Sequence, residues 1–423
     1  MSRRIVIACW GSYGDVYPYV GLAKALNARG HRALIAAPAY YRPTVQREQI
    51  EFAAVGPEID PSDRGMIARV MDPAKGPEAV IRDLVIPALR QTYEALEPVA
   101  RDADIIVGHP LTFAVAAIAE TRRIPWISTL LAPLGFFSVT DLPALPPAPS
   151  LVHLRRLGPW FGRVMVGLAR RATRAWIEPV VQLRRELGLR PGGHPLFDGQ
   201  FSPHGTLALF SKLLAAPQPD WPPHVSVTGF VFYNGLDTLE PALESFLDSG
   251  APPVVFTLGS SAVGAAGRFY DESAEAATRL GVRAVLLTGG FAENEPLGLR
   301  SKDLLFVDRA PHQLLFPRAS VIVHQGGSGT TGQALRSGRP MLIVPHAHDQ
   351  PDNAFRVTRL GVARTVFPGR YKAGRIAREL KLLLDATRYR ERSAETASVV
   401  RSEGGADAAA DAVVRIASVT ARS

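Results

Sequence analysis

Apolar positions along the chain fall into short β-branched runs separated by segments of helical periodicity. Ile5 to Cys9 predicts a buried strand, followed by a turn marked by Gly11, Ser12 and Gly14. A helix beginning near Tyr17 or Pro18 and ending at Gly30 then leads into a second strand, Ala33 to Ala37. Pro18 suits a first helical turn, where its missing N–H costs nothing. Asp104 to Gly108, Thr112 to Glu120 and Pro125 to Leu130 repeat the order strand, helix, strand. In the second half, Pro253 to Leu258, Arg283 to Leu287, Leu304 to Val307, Val321 to His324 and Met341 to Val344 predict strands with helices between them. From about Arg375 the chain is helical and alanine-rich, with a break at Gly404 and Gly405. Strands alternating with helices predict parallel, doubly wound sheets, so the fold class is α/β in two halves of similar architecture.

Three stretches interrupt this order. Gly135 to Ser150 is a proline-rich aromatic loop, equally suited to a pocket wall or a surface connection. Leu151 to Leu187 reads as one or two helices mixing Leu154, Leu157, Trp160, Phe161, Met165, Val166 and Trp176 with many arginines. A basic amphipathic helix can lie on a membrane, but a packed helix with a solvated arginine face is the commoner arrangement and is favoured here. Ala215 to His224, rich in proline and without periodicity, marks the best domain boundary. The expected division is therefore 1–215, a linker at 216–224, 225–400, and a C-terminal helix at 401–423.

Composition narrows the picture. With 47% apolar residues in 423, the chain can bury a large core. The net charge of +9 suits phosphorylated ligands and leaves a peripheral contact with an anionic membrane open. Nucleic acid fits less well, because no run joins clustered basic residues to aromatic platforms. A single cysteine, Cys9, excludes an internal disulfide framework and favours a reducing compartment. No stretch reaches the roughly 18 apolar residues of a spanning helix, so a cytoplasmic protein is expected.

The candidate chemistry centres on Ala319 to Asn353. A β-branched run reaches His324, a turn carries Gly326, Gly327 and Gly329, and a helix follows from about Thr330. The helix N-terminus and unshielded amides make a site for an anion, most naturally a phosphate. Beyond the next strand, Asp349 and Gln350 suit sugar hydroxyls, although Asp349 also fits the N-cap of the following helix. Gly327, Gly329 and Gly332 spell GxGxxG, with Asp352 near the offset of a ribose-binding acid. The literal match is weak, and a nicotinamide or flavin enzyme is disfavoured.

Read together, Arg309-Ala-Pro-His-Gln-Leu-Leu-Phe316, His324-Gln-Gly-Gly-Ser-Gly-Thr330 and Pro345-His-Ala-His-Asp-Gln350 with Asn353 resemble the donor-binding signature of family 1 glycosyltransferases. Gly11-Ser-Tyr-Gly-Asp-Val-Tyr-Pro18 resembles the matching N-terminal loop. Asp220-Trp-Pro-Pro-His-Val-Ser-Val-Thr-Gly229 resembles the interdomain segment of sterol glucosyltransferases and rhamnolipid-type rhamnosyltransferases. The resemblance implies two Rossmann-like domains facing across a cleft (GT-B), with the C-terminal helices packing back on the N-terminal domain. It implies a diphosphate held by His324 and the amides of Gly326, Gly327, Ser328, Gly329 and Thr330, with donors from Ser260 and Ser261. Arg309 would stack on the base, Ala310 would pair with it through its backbone, and His312 and Gln313 would lie nearby. Asp349 and Gln350 would hold the sugar, and neither a metal nor any other cofactor is expected.

For the attack, Asp15 is the expected base, although it also suits capping of the helix after it. His109 is expected to line the acceptor side, with Phe136 and Phe137, and is the alternative base. The implied activity is inverting transfer of a hexosyl group, with domain closure bringing Asp15 to the donor. dTDP-rhamnose and UDP-glucose remain as donors, and His348, where sterol enzymes tend to have glycine, leans towards the former. The acceptor is expected to be hydrophobic: a lipid, a sterol-like ring or a polyketide. A sugar-nucleotide epimerase and a non-catalytic nucleotide-sugar-binding protein stay open as alternatives. The oligomeric state is left open.

Overall fold

The computed structural model describes residues 2–58, 63–146, 148–235, 238–296, 298–299 and 301–420, apart from the side chain of Ser261. The chain forms two compact units. The first comprises Met1–Asp60, Lys75–Tyr233 and Gly404–Ser423; the second comprises Pro61–Ala74 and Asn234–Glu403.

The first unit is built on seven parallel strands: β1 (Arg4–Ala8), β2 (Arg32–Ala37), β3 (Glu51–Ala54), β4 (Ile105–Gly108), β5 (Trp126–Leu130), β6 (Thr206–Ala208) and β7 (Val225–Val227). Their spatial order is β3-β2-β1-β4-β5-β6-β7, so the winding direction reverses between β1 and β4. Such runs as Ile5, Val6 and Ile7 are buried because helices cover both faces of the sheet. On one face lie the Tyr13–Ala28 and Gly405–Thr420 helices, on the other Leu89–Ala100, Ala114–Arg122 and Glu178–Glu186. The last helix of the chain thus packs back on the N-terminal unit, as the resemblance implied.

The second unit has six strands, β8 (Val254–Thr257), β9 (Ala284–Leu287), β10 (Leu304–Val307), β11 (Val321–His324), β12 (Met341–Ile343) and β13 (Ala363–Thr365). All pair in parallel in the order β10-β9-β8-β11-β12-β13, with the reversal between β8 and β11. The Arg64–Val70 helix joins this unit, with Ile67 and Met71 in its core.

Several expectations change. The chain passes between units at Tyr233 and Asn234, not at 216–224. Proline richness there marks an irregular loop inside the first unit, and β7 beyond it still pairs with β6. The second boundary falls at Gly404, close to the expected 401. The first helix starts at Tyr13, not near Tyr17, because Ser12 is its N-cap. Pro18 therefore sits in the second turn and forgoes a bond to the carbonyl of Gly14.

The Gly405–Thr420 helix is docked through tight backbone geometry. Gly405 has φ +50° and its N–H donates to the Thr228 carbonyl at 2.8 Å. A Cβ at Gly405 would lie 2.7 Å from the Phe230 carbonyl oxygen. Gly405→Ala is expected to lower stability of the first unit by about 1–3 kcal/mol. Urea unfolding followed by the first unit's tryptophans would measure it, and an unchanged midpoint would refute this docking.

Candidate active site

In an open parallel sheet the loops at the strands' carboxyl ends diverge where winding reverses, and the gap left there takes ligands. In both units the candidate residues gather at that point.

In the first unit, the loops after β1 and β4 leave side by side. Gly11 has φ +130°, and a Cβ there would sit 2.5 Å from Asp15 Oδ2, so only glycine lets the carboxylate fold back. Ser12 donates to that oxygen from its N–H at 2.7 Å and from its hydroxyl at 2.9 Å. The capping role read for Asp15 is therefore real. The other oxygen, Oδ1, lies 3.9 Å from His109 Nε2. His109 is 7% exposed, and its Nδ1 accepts from the Leu111 N–H at 3.2 Å. The neutral ring must then carry its proton on Nε2, facing Asp15. Burial pushes the His109 pKa down to about 3, so this contact sets an N–H against a carboxylate and is no ion pair at neutral pH. Beneath it the Tyr19 hydroxyl bonds Thr129, and Thr129 donates to the Gly108 carbonyl, fixing the tip of β4.

Phe136 and Phe137 do not join these two. Phe136 is 7% exposed and stacks on Trp221 with ring centroids 3.7 Å apart. Phe137 packs on Phe197 at 4.6 Å. They form a small core of the 135–150 loop, which Asp220 pins by accepting from Ser138, Val139 and Thr140. The expectation that they line an acceptor pocket is corrected for Phe136, because a loop this long needs its own apolar anchor.

In the second unit, β8 ends at Thr257 and leads to Gly259 and Ser260, and β11 ends at His324. Gly259 has φ +63°, and a Cβ on it would meet Gln325 Nε2 at 2.3 Å, so the two strand ends close on each other. Ser260 is exposed at this point, while the side chain of Ser261 lies outside the described part. After β11 the chain turns through Gly326, at φ +90°, into the Ser328–Ser337 helix, whose N-cap is Gly327. The amides of Ser328, Gly329 and Thr330 thus open the helix and lack intrahelical partners.

Four buried side-chain atoms around this turn find no hydrogen-bond partner among the described residues: His324 Nε2, Gln325 Oε1, Thr331 Oγ1 and Asn353 Oδ1. His324 is fully buried, and its Nδ1 accepts from the Gly326 N–H at 3.1 Å, which again leaves the proton on Nε2. Burial, with His312 nearby, holds its pKa down to about 3. The residue expected to hold phosphate is therefore a neutral N–H donor. Burial also pushes His312, stacked on Phe316, down to about 4. Arg309 is exposed and Ala310 half-buried in the loop after β10.

Asp349 and Gln350 follow β12. Asp349 holds the N-cap position without capping through its side chain. Its Oδ2 instead accepts from Ser328 Oγ and Asn353 Nδ2, both at 2.7 Å, tying the two helix starts together. Burial raises the Asp349 pKa despite those bonds. Gln350 uses its carbonyl oxygen on the His346 and Ala347 amides, so its NH2 is what it can offer a sugar. His348 adopts φ +57°, a conformation that favours glycine. Asp352 is buried against Arg356, which removes it as a ribose-binding acid. Gln325 and Asn353 lie within the donor motifs named above without a role of their own, and Thr331 adjoins Thr330; Asn353 is one helical turn after Asp349 on the same face.

His109, His312 and His324 bear on acid stability. Their folded pKa values lie below the value near 6.5 of an unfolded chain. Their contribution is complete above about pH 6.5 and is lost as pH falls towards the folded values. His324→Gln should flatten the dependence of unfolding free energy on pH, by about 1.4 kcal/mol per unit between about pH 4 and 6. Urea titrations across that range test it; equal slopes for both proteins would show that His324 is not held neutral.

Comparison with known proteins agrees with this geometry. Residues 5–131 match the glycosyltransferase family 28 N-terminal domain, and residues 293–416 match the erythromycin biosynthesis protein CIII-like C-terminal domain. O-mycaminosyltylonolide 6-deoxyallosyltransferase of Streptomyces fradiae is 34% identical over 86% of each chain. A sterol 3-beta-glucosyltransferase of Leptosphaeria maculans is 30% identical over 85% of this chain, which spans only 25% of that relative. A spinosyn rhamnosyltransferase, solved in complex with thymidine diphosphate, superposes with a TM-score of 0.68 over 98% of this chain and 99% of its own, at 17% identity. Two parallel-sheet units of this topology, the matched domains at both ends and a relative so similar along most of both chains lead to one conclusion: the protein belongs to the GT-B glycosyltransferases.

Proposed function

We propose that the protein moves a hexosyl group, with inversion, from a nucleoside diphosphate sugar to a hydroxyl of a hydrophobic acceptor. The observation that carries the donor half is the set of orphaned polar atoms around the glycine turn. His324 Nε2–H and the Thr331 hydroxyl can donate to phosphate oxygens beside the open helix amides, while Gln325 Oε1 and Asn353 Oδ1 can accept from hydroxyls. A ligand with both phosphate and sugar satisfies both kinds of group. The Asp349 carboxylate and the Gln350 NH2 add contacts to the sugar, and the leaving diphosphate is stabilised where its charge develops.

Asp15 is the base in this reading. Its Oδ1 faces His109, while Oδ2 is held by Ser12. The chemistry of His109 argues against the alternative. Its Nδ1 lone pair is occupied by Leu111 and its Nε2 already carries a proton, so it serves as a donor that orients Asp15 or the acceptor hydroxyl.

For the donor we favour a thymidine diphosphate deoxysugar over UDP-glucose. Support comes from the thymidine diphosphate bound by the spinosyn relative and the deoxysugar named for the Streptomyces one. A polyketide-like acceptor follows from the same comparison.

Asp15→Asn should lower kcat by about 100-fold or more while leaving donor affinity nearly unchanged. Single-turnover assays with a deoxysugar donor and a panel of hydroxylated acceptors would read this, and undiminished turnover would remove Asp15 as base. The assay also separates the alternatives, since only a transferase releases nucleoside diphosphate and gains acceptor mass. In a thermal-shift screen, dTDP at about 100 times its dissociation constant should stabilise by about 2.7 kcal/mol. A larger shift with UDP at equal concentration would reverse the donor assignment.

A further inference from the structure

The arginine-rich segment after the 135–150 loop takes no part in the chemistry above. It forms a 3-10 helix, Pro149–Leu157, and an α-helix, Pro159–Thr173. The orientation of the α-helix is fixed on its inner side. A Cβ at Gly162 would lie 2.3 Å from the Val139 carbonyl oxygen, so the helix backbone rests against that strand of loop with no room to roll. With Gly162 inward, Trp160, Val164 and Leu168 follow one another at successive turns on the outward side.

They are exposed to 56%, 49% and 57%, and Leu157, at the end of the 3-10 helix before Gly158, to 44%. Four of the eight large hydrophobic residues exposed among the described residues thus fall within one short segment, while Tyr40, Phe367, Leu382 and Val419 lie scattered. Single exposed apolar residues need no explanation, but an aligned row does. This outcome differs from the solvated arginine face favoured for this helix, because the large apolar side chains themselves face out.

The charge around the row is one-sided. Between Asp141 and Glu178 the sequence has no aspartate or glutamate, but it has Arg155, Arg156, Arg163, Arg170, Arg171 and Arg174. Asp141 faces Arg155 and Asp198 pairs with Arg170. Arg156, Arg163, Arg171 and Arg174 are exposed and have no acidic partner among the described residues.

We propose that this face, Leu157, Trp160, Val164 and Leu168 rimmed by Arg156, Arg163, Arg171 and Arg174, docks on the surface of an anionic lipid bilayer. An in-plane amphipathic helix buries its apolar row at the headgroup boundary while its cations meet lipid phosphates. Guanidinium suits phosphate through paired N–H donors, and tryptophan suits the interface because its ring is apolar and its N–H is wet. The complementarity is to a negatively charged surface with an apolar layer beneath it. A soluble acidic partner would satisfy the arginines and leave the row in water. The proposal does not depend on which donor or acceptor the enzyme uses.

The test is co-sedimentation of the full chain with vesicles of equal parts phosphatidylglycerol and phosphatidylcholine, and with phosphatidylcholine alone. The wild-type protein should pellet with the anionic vesicles at low salt and be released at about 1 M salt, where charges beyond about 3 Å are screened. Arg163→Gln with Arg171→Gln should weaken partitioning about 30-fold. Trp160→Glu with Leu168→Glu should weaken it at least about tenfold, while Leu382→Glu, on the other unit, should bind as wild type. Unchanged circular dichroism and an unchanged nucleotide thermal shift would show that each variant is folded. Wild-type protein that stays in solution with anionic vesicles at low salt overturns the proposal. Equal retention by soluble polyglutamate, unaffected by Trp160→Glu with Leu168→Glu, also overturns it and points to an acidic protein partner.

Discussion

The parallel pairing of β8 with β11, in register from Val254 opposite Val321 to Phe256 opposite Val323, ends both strands at one level. The two loops that leave there cannot continue in the same direction, since β9 and β10 lie to one side and β12 and β13 to the other. A gap opens between them, and the helix that starts at Ser328 aims its unpaired amides there. Polar atoms of His324, Gln325, Thr331 and Asn353 are buried around this gap without partners among the described residues, which leaves them able to meet a ligand there. The second unit thus holds its unmet hydrogen-bonding capacity where its topology already requires an opening.

The first unit obeys the same constraint with a different result. β1 and β4 pair from Ile5 opposite Ile105 to Ala8 opposite Gly108, and the loops beyond them carry Asp15 and His109 to within 3.9 Å. Here the carboxylate is held by the helix start it caps, with Gly11 leaving room for it. Capping occupies Oδ2 and leaves Oδ1 turned towards His109. The burial that keeps His109 and His324 neutral follows from their position at buried strand ends, so each presents a defined N–H and no charge.

Much of the site could be read from sequence because its residues are close neighbours in the chain. The β11 end, glycine turn and helix N-terminus lie within one βαβ unit, and local propensity and spacing specify such a unit well. The harder features depended on partners distant in sequence. Phe136 looks like a pocket residue until Phe201, Phe210 and Trp221 are seen packed around it. The proline-rich 216–224 stretch looks like a linker until β7 is seen to extend the first sheet. Gln350 looks wholly available to sugar until its carbonyl is found on the His346 and Ala347 amides.

By itself, the sequence determined the alternation of strand and helix, the glycine turn that follows His324 into a helix, and the family. Each is set by short-range pattern, in which propensity, glycine placement and periodicity act over a few residues. Only the tertiary structure decided which unit each stretch joins, that Asp15 and His109 meet, that His324 is neutral, and that the Trp160 row faces outward. Those outcomes depend on which surfaces are buried against which, and burial is a property of the whole packed chain that no local window contains.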